Sequence, residues 1–366
     1  MSVKFRNIAN VCLSSVLVLG FSLWGIFKQD GDMSVSERRP LASLPDFSSE
    51  TVLNGEFMSE FETYALDQFP LRDSFRTLKA VTAFYVMGKK DNNDIYIADG
   101  YASKLEYPLN EKSIDHAAER FRYVYDTYLA DSGCNVYLSL IPDKNYFMAE
   151  KNGYPSLDYA ELVESTREKM DFAQYIDIFP ELELSDYYKT DTHWRQEKII
   201  GTAKKLAAAM GADITADFTE KKLDKEFYGV YYGQAALPMK ADELYYLESD
   251  YLDNCKVFDQ ETNSYITVYD HEKANGNDAY ELFLSGSKSL LTIENPSAEN
   301  DRELIIFRDS FGSSIAPILA DGYAKTTLVD IRYISPNIIG NFVDFEGKDV
   351  LFLYSTLVLN NSITIK

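Results

Sequence analysis

Leu304-Ile305-Ile306-Phe307-Arg308-Asp309-Ser310-Phe311-Gly312 opens on four apolar residues, turns polar at Arg308 and runs into the helical pattern Ser313–Leu319. A short buried run that breaks in a turn and restarts as a helix is one unit of an alternating α/β chain. The units around it have the same form. Downstream, the pattern predicts a strand over 326–331, a helix over 336–343 and a last strand over 350–354. Upstream, Ala117, Phe121 and Val124 mark one side of a helix over 114–129, which Asp131-Ser132-Gly133 ends. A buried strand over 135–141, a helix over 157–170 and a strand over 175–179 follow. Five strands separated by helices predict an α/β fold with a doubly wound, mostly parallel sheet, which binds ligands at the C-terminal ends of its strands.

Residues 213–296 break this rhythm. They are rich in Tyr, Asp and Gly, with short alternating stretches such as 264–269 and 279–284, and predict a β-rich insertion over or beside the sheet. At the other end, Ile8–Phe27 is an apolar run without charge, preceded by Lys4 and Arg6. Twenty such residues can span a bilayer, and the basic start places that end in the cytoplasm. A cleaved signal peptide is the rival reading; it would show a shorter apolar region and a small-residue cleavage site, and none precedes Lys28. Both readings export the remainder. The expected division is an anchor over 1–28, a polar stalk over 29–50 around Arg38-Arg39-Pro40 and Pro45, and an α/β domain with its insertion over 51–366.

Composition narrows the function. The 366 residues are 46% hydrophobic and 14% aromatic, enough for a large core, and 36 basic against 58 acidic side chains give a net charge of −22. So acidic a chain does not bind nucleic acid or an anionic surface through bulk charge. Its 27 tyrosines are compatible with stacking on sugar rings as well as with core packing. Cys12 lies in the apolar run, and the spacing of Cys134 and Cys255 does not argue for a disulfide; both are expected free and buried.

The strand-to-helix turn puts Ser310 where helix N–H groups can face a developing oxyanion, and Gly312 lets a substrate or backbone come close. The plain alternative for Ser310 is a helix cap. One of only three histidines lies in Lys189-Thr190-Asp191-Thr192-His193-Trp194, just before a helical pattern of Ile199, Ala203, Leu206, Ala207 and Met210 that Gly211 stops. Asp191 and His193 can hold each other in a working orientation for a nucleophile supplied from elsewhere. Two ligands at this spacing are a weak metal site without a third, and no metal is expected. Trp194 reads as the packing residue that fixes the loop. His116 and His271 read as solvated surface.

Thr190-Asp191-Thr192-His193-Trp194 followed by Asp309-Ser310-Phe311 resembles the SGNH-hydrolase-like proteins typified by the alginate O-acetylation enzymes, and more closely the bacterial DHHW proteins. Phe69-Pro70-Leu71-Arg72-Asp73, Tyr96–Tyr101, Ile141–Asn145, Tyr280–Gly286 and Asp330–Tyr333 extend the likeness over about residues 35–366. It departs from the DHHW pattern at Thr192, and Arg308 stands where many SGNH proteins have Gly. The resemblance implies a flavodoxin-like SGNH fold with permuted blocks, in which Ser310 is the nucleophile, His193 the general base and Asp191 its orienting partner. Lys144, Asn145, Arg332 and Tyr333 are the polar residues at strand ends expected to bind the oxyanion or substrate. The implied function is acetyl transfer to, or acetyl-ester hydrolysis on, a cell-surface polysaccharide, without a cofactor, by an enzyme in the membrane through Ile8–Phe27 and facing outward. The implied partners are the acetylated carbohydrate and a membrane acetyl-donor protein. A polysaccharide-binding or assembly protein that retains the fold without catalysis is the alternative. A lipase-like esterase fits less well, because no long apolar lid segment is present.

Overall fold

The computed structural model describes residues 3–366, and the chain divides into two compact units. The smaller comprises residues up to Asn93 together with Tyr232–Met239. It begins with the helix Val3–Phe27, the apolar run expected from the sequence and the one helix among the described residues long and apolar enough to cross a membrane. Residues 29–50 carry more order than a polar stalk. Met33–Ser34 pairs antiparallel with Arg39–Pro40, and the Arg39 guanidinium clamps Asp67 with bonds of 2.8 and 2.6 Å. That ion pair and the N–H of Ala42 hold the Asp67 carboxyl near 2, below the usual carboxylate range. Helices Ser49–Leu53, Glu56–Asp67 and Arg72–Val81 complete this unit, the last running into a π-turn over Thr82–Val86.

The larger unit, Asp94–Tyr231 with Lys240–Lys366, is built on an eight-stranded sheet. In spatial order its strands are Ser264–Ile266, Lys256–Asp259, Leu290–Glu294, Lys325–Val329, Glu303–Arg308, Asp349–Ser355, Asn135–Ile141 and Gln174–Tyr175. The last five are mutually parallel, and the sequence pattern located all five. Parallel strands are buried on both faces, so they read as continuous apolar runs. Leu304 and Ile306 pack on one side with the helices Ile200–Ala209 and Gly312–Leu319; Ile305 and Phe307 pack on the other with Glu111–Val124 and Tyr159–Lys169. The fold is thus mixed α/β with a large, mostly parallel sheet.

Two strand expectations need correction. The strand expected over 175–179 pairs only at 174–175. The Asp177 carboxylate accepts the N–H of Phe179 at 3.0 Å and turns the chain into a 3₁₀ helix at Phe179–Glu181. The alternating stretch 279–284 is a 3₁₀ turn at Ala279–Leu282, capped by the Asp278 carboxylate on the N–H of Tyr280. Thr219–Phe227 and Asp242–Glu248 form their own antiparallel pair, but three other strands of the insertion extend the main sheet antiparallel beyond Lys325–Val329. His116 is half-buried with Nδ1 3.2 Å from the Ser362 hydroxyl, whereas His271 is exposed as expected. Cys134 and Cys255 are free but only partly buried, and burial pushes the Cys255 thiol up to about 12.

Candidate active site

Arg308 ends its strand wholly buried, and Asp309-Ser310-Phe311 turns the chain into the helix Gly312–Leu319. The buried Asp309 carboxylate holds the turn from both sides: it accepts the N–H of Phe311 at 3.0 Å and that of Ser355, at the end of the neighbouring strand, at 2.7 Å. Gly312 is needed for a reason other than substrate access. A Cβ there would lie 2.7 Å from Arg308 Cβ, so the missing side chain makes room for Arg308. The Arg308 guanidinium then donates to the Ser313 hydroxyl at 3.0 Å and the Lys288 carbonyl at 3.2 Å. The N–H groups of Gly312 and Ser313 bond within the turn, to Asp309 and Ser310 carbonyls. The Ser310 N–H has no acceptor among the described residues.

The second motif reaches this turn from the loop before Ile200–Ala209. His193 Nε2 lies 2.7 Å from Ser310 Oγ, and Nδ1 lies 2.6 Å from Asp191 Oδ1. An ionised carboxylate only accepts, so Nδ1–H donates to Asp191 and the Nε2 lone pair is left for the serine hydroxyl. Asp191 is fully buried and also accepts the N–H groups of His193 at 3.1 Å and Val230 at 2.9 Å. Its backbone is pressed against Gly229: a Cβ at that position would stand 2.2 Å from Asp191 Cβ and 2.3 Å from its Cα, so no other residue fits. One carboxylate, Asp242, takes the N–H of Lys189 at 2.8 Å and both the N–H and hydroxyl of Thr190 at 2.7 and 2.6 Å. The Tyr280 ring covers the imidazole, stacked at 3.9 Å and 8° from parallel, with its hydroxyl donating to Ser314 at 2.9 Å. Trp194 is fully buried, its Nε1 donating to the same Ser314 hydroxyl at 2.9 Å; as expected, it packs the loop rather than facing solvent.

The four expected binding residues are placed differently. Lys144 is buried, and its amine donates to the carbonyls of Tyr188 at 2.8 Å and Lys189 at 3.3 Å. Burial pushes its pKa down to about 7, against the pull of Asp191, Asp242 and Asp143. It therefore braces the chain just before Asp191. Asn145 accepts from the Tyr96 hydroxyl at 2.9 Å and donates to the Glu106 carbonyl, and is likewise committed inside the protein. Arg332 is chelated by Asp330 at 2.8 and 2.6 Å. Tyr333 alone keeps a half-exposed ring, with the Arg332 guanidinium 5.4 Å away. Sequence reading missed Gly229, Val230, Asp242 and the part played by Tyr280; only the last lay in a stretch with a recognisable pattern. Among the described residues no three His, Cys, Asp or Glu side chains converge as a metal-ligand set.

Comparison with known proteins agrees with the resemblance seen in the sequence. Residues 181–329 match the family described as DHHW protein. The crystal structure of a DHHW family protein from Eubacterium siraeum is similar over 75% of this chain and 95% of that one, with a TM-score of 0.59 and 21% identity. Bacillus cereus PatB1, solved with a sulfonyl adduct, is similar over 72% of this chain and 95% of its own, with a TM-score of 0.56 and 18% identity. At these identities the likeness is one of fold. No curated protein matches the chain significantly.

Proposed function

We propose, from a chain whose residues 181–329 match the DHHW family, that this protein is a serine acyl-transfer enzyme acting on acetylated carbohydrate at the cell surface. The observation that carries the reading is the continuous chain of short contacts from Ser310 Oγ through His193 to Asp191, 2.7 and 2.6 Å. Ser310 Oγ attacks the acetyl carbonyl while His193 Nε2 takes its proton. The tetrahedral oxyanion faces the Ser310 N–H, and Asp191 stays ionised, steadying the imidazolium. Collapse expels the donor's alkoxide, which takes the proton from His193 and leaves acetyl-Ser310. A sugar hydroxyl or water, deprotonated by His193, then attacks the acyl-serine and restores the free hydroxyl. The first acceptor makes the protein an O-acetyltransferase and the second an acetylesterase, and neither route calls for a cofactor. The exposed Tyr333 ring, on the loop after the adjacent strand, is the surface offered to a sugar.

The basic residues Lys4 and Arg6, in the first turns of the helix Val3–Phe27 and ahead of its apolar run, support an uncleaved anchor with the remainder of the chain outside the membrane, where a membrane acetyl-donor protein would supply the acyl group. PatB1 carries a sulfonyl adduct, and the same class of reagent is expected to react here with Ser310. The test is release of p-nitrophenol from its acetate ester by wild type and Ser310→Ala, with products weighed by mass spectrometry when an oligosaccharide acceptor is added. Loss in the variant, with an acetylated oligosaccharide from the wild type, is the expected result. Equal rates for the two proteins would remove Ser310 from the reaction.

A further inference from the structure

Only one stripe of the helix Val3–Phe27 and its continuation is covered: Phe21, Gly25 and Lys28, at steps of four and three. Phe21 stacks on Phe69 with ring centroids 5.6 Å apart and meets Phe75 edge-on at 5.5 Å. Gly25 lies against Pro70, where an added Cβ would touch the Pro70 ring at 3.6 Å, and Lys28 Nζ donates to Gln68 Oε1 at 3.3 Å. The turn 68–75 is therefore fastened to the last two turns of the apolar helix rather than beyond its end.

The length of that helix fixes where this turn lies. If Ile8–Phe27 fills the hydrocarbon core, Phe21 is six residues inside its outer edge, about 9 Å at 1.5 Å per residue. Sliding the helix outward until Phe21 clears the membrane would leave only residues 8–20 to cross it. Those span about 20 Å, against a core of about 30 Å. The aromatic residues packed on Phe21 must then sit at bilayer depth. The exposed side chains around them fit that position: Leu66, Leu71 and Leu78 are each more than half exposed, and Phe69 and Phe75 about 40%. Lys79, one residue beyond Leu78, is exposed and long enough to reach a lipid phosphate from such a depth.

Resting on the anchor reading above, we infer that residues 66–79 form an interfacial membrane element, embedded beside the anchor at the headgroup–acyl boundary of the same bilayer. Its occupant is lipid, with an apolar face of Leu66, Leu71, Phe75 and Leu78 toward the acyl chains. A protein or a second copy of this chain covering the same face is the competing outcome.

Trp24 and Trp194 are the only tryptophans, which makes a depth measurement direct. The full chain is reconstituted in phosphatidylethanolamine–phosphatidylglycerol vesicles, either plain or brominated on the acyl chains near the headgroup. Trp24 emission in the wild type reports the anchor; buried Trp194 is a constant background. In a Trp24→Phe protein, Phe69→Trp and separately Leu78→Trp report the proposed element. The expected result is quenching of both new tryptophans by brominated lipid to an extent comparable with Trp24, and little quenching by aqueous iodide. If Trp24 is quenched but the new tryptophans respond to iodide or to neither agent, the interfacial element is wrong while the anchor stands. If Trp24 itself is not quenched by the lipid, the anchor reading fails and the inference falls with it.

Discussion

Ser310 and His193 stand 2.7 Å apart, yet the turn that carries one and the loop that carries the other are held by different means. The serine turn is fixed by regular structure. It continues a central strand, its Asp309 bridges to the end of the next strand, and a buried Arg308 fills the space left by Gly312. The histidine loop is closed at its base by an isolated antiparallel bridge between Tyr187 and Trp194, and it lies outside any strand or helix. Between Tyr188 and Trp194 it is fixed by Asp242, Gly229, Val230, Lys144 and Tyr280, residues between 38 and 87 positions from those they touch along the chain. The contrast teaches that the nucleophile's geometry follows from the sheet, whereas the base is oriented by the insertion and by one buried lysine. Changes on the histidine side should therefore disable Ser310 without disturbing the turn it sits on.

Gly229→Ala should have the largest effect. Its Cβ would fall 2.2 Å from that of Asp191, so the loop must move, at a cost of about 3 kcal/mol or more. An error of this size in the base should lower acetyl-ester hydrolysis by at least about 10²-fold. Kinetics alongside urea unfolding measures both, and an Ala variant with wild-type activity would break the contrast. Asp242→Asn comes next. It removes the charge from an acceptor of three hydrogen bonds and should cost about 1–3 kcal/mol, with kcat falling more than KM rises.

Lys144 gives the contrast a pH dependence. Its pKa falls from 10.5 in the unfolded chain to about 7 when buried, so between these values the unfolded chain holds more protons. Stability should therefore rise as pH climbs from about 7 towards 10.5, and the cost of the buried charge should be felt in full below about 7. Lys144→Met, compared with wild type by urea unfolding on either side of pH 7, should lack this contribution; parallel pH profiles for the two proteins would remove Lys144 as the charged brace. Tyr280→Phe is the mildest change. It keeps the ring on His193 but drops the bond to Ser314, and should cost about 1 kcal/mol with activity within a few-fold of wild type. Tyr280→Leu, which removes the stacking as well, should cost more.

The same division explains how much could be read from the sequence. Strand, turn and helix around Ser310 are local, and a parallel strand announces itself by an apolar run, so Leu304–Leu319 and the five parallel strands were legible. Asp191, His193 and Trp194 were legible as a motif, but their supports were not. A glycine at 229 carries no sign that an aspartate backbone presses on it, and Asp242 looks like any strand-end acid. Lys144 and Asn145 misled for a related reason. Polar residues after a strand point to a ligand only when their donors are not already spent, and here they are bonded to the Tyr188 and Glu106 carbonyls. In the insertion, period-two alternation could not tell a strand that joins the main sheet, as at 264–266, from a stretch that turns at a capping aspartate, as at 279–282.

The central claim, that Ser310 is made nucleophilic by His193 and Asp191, is tested most directly by intact-mass and peptide analysis after exposure to a sulfonyl fluoride. A single sulfonyl adduct is expected on the wild-type protein, mapped to Ser310, and none on Ser310→Ala or His193→Ala. No adduct on the wild type, or equal labelling of the His193→Ala protein, would contradict it.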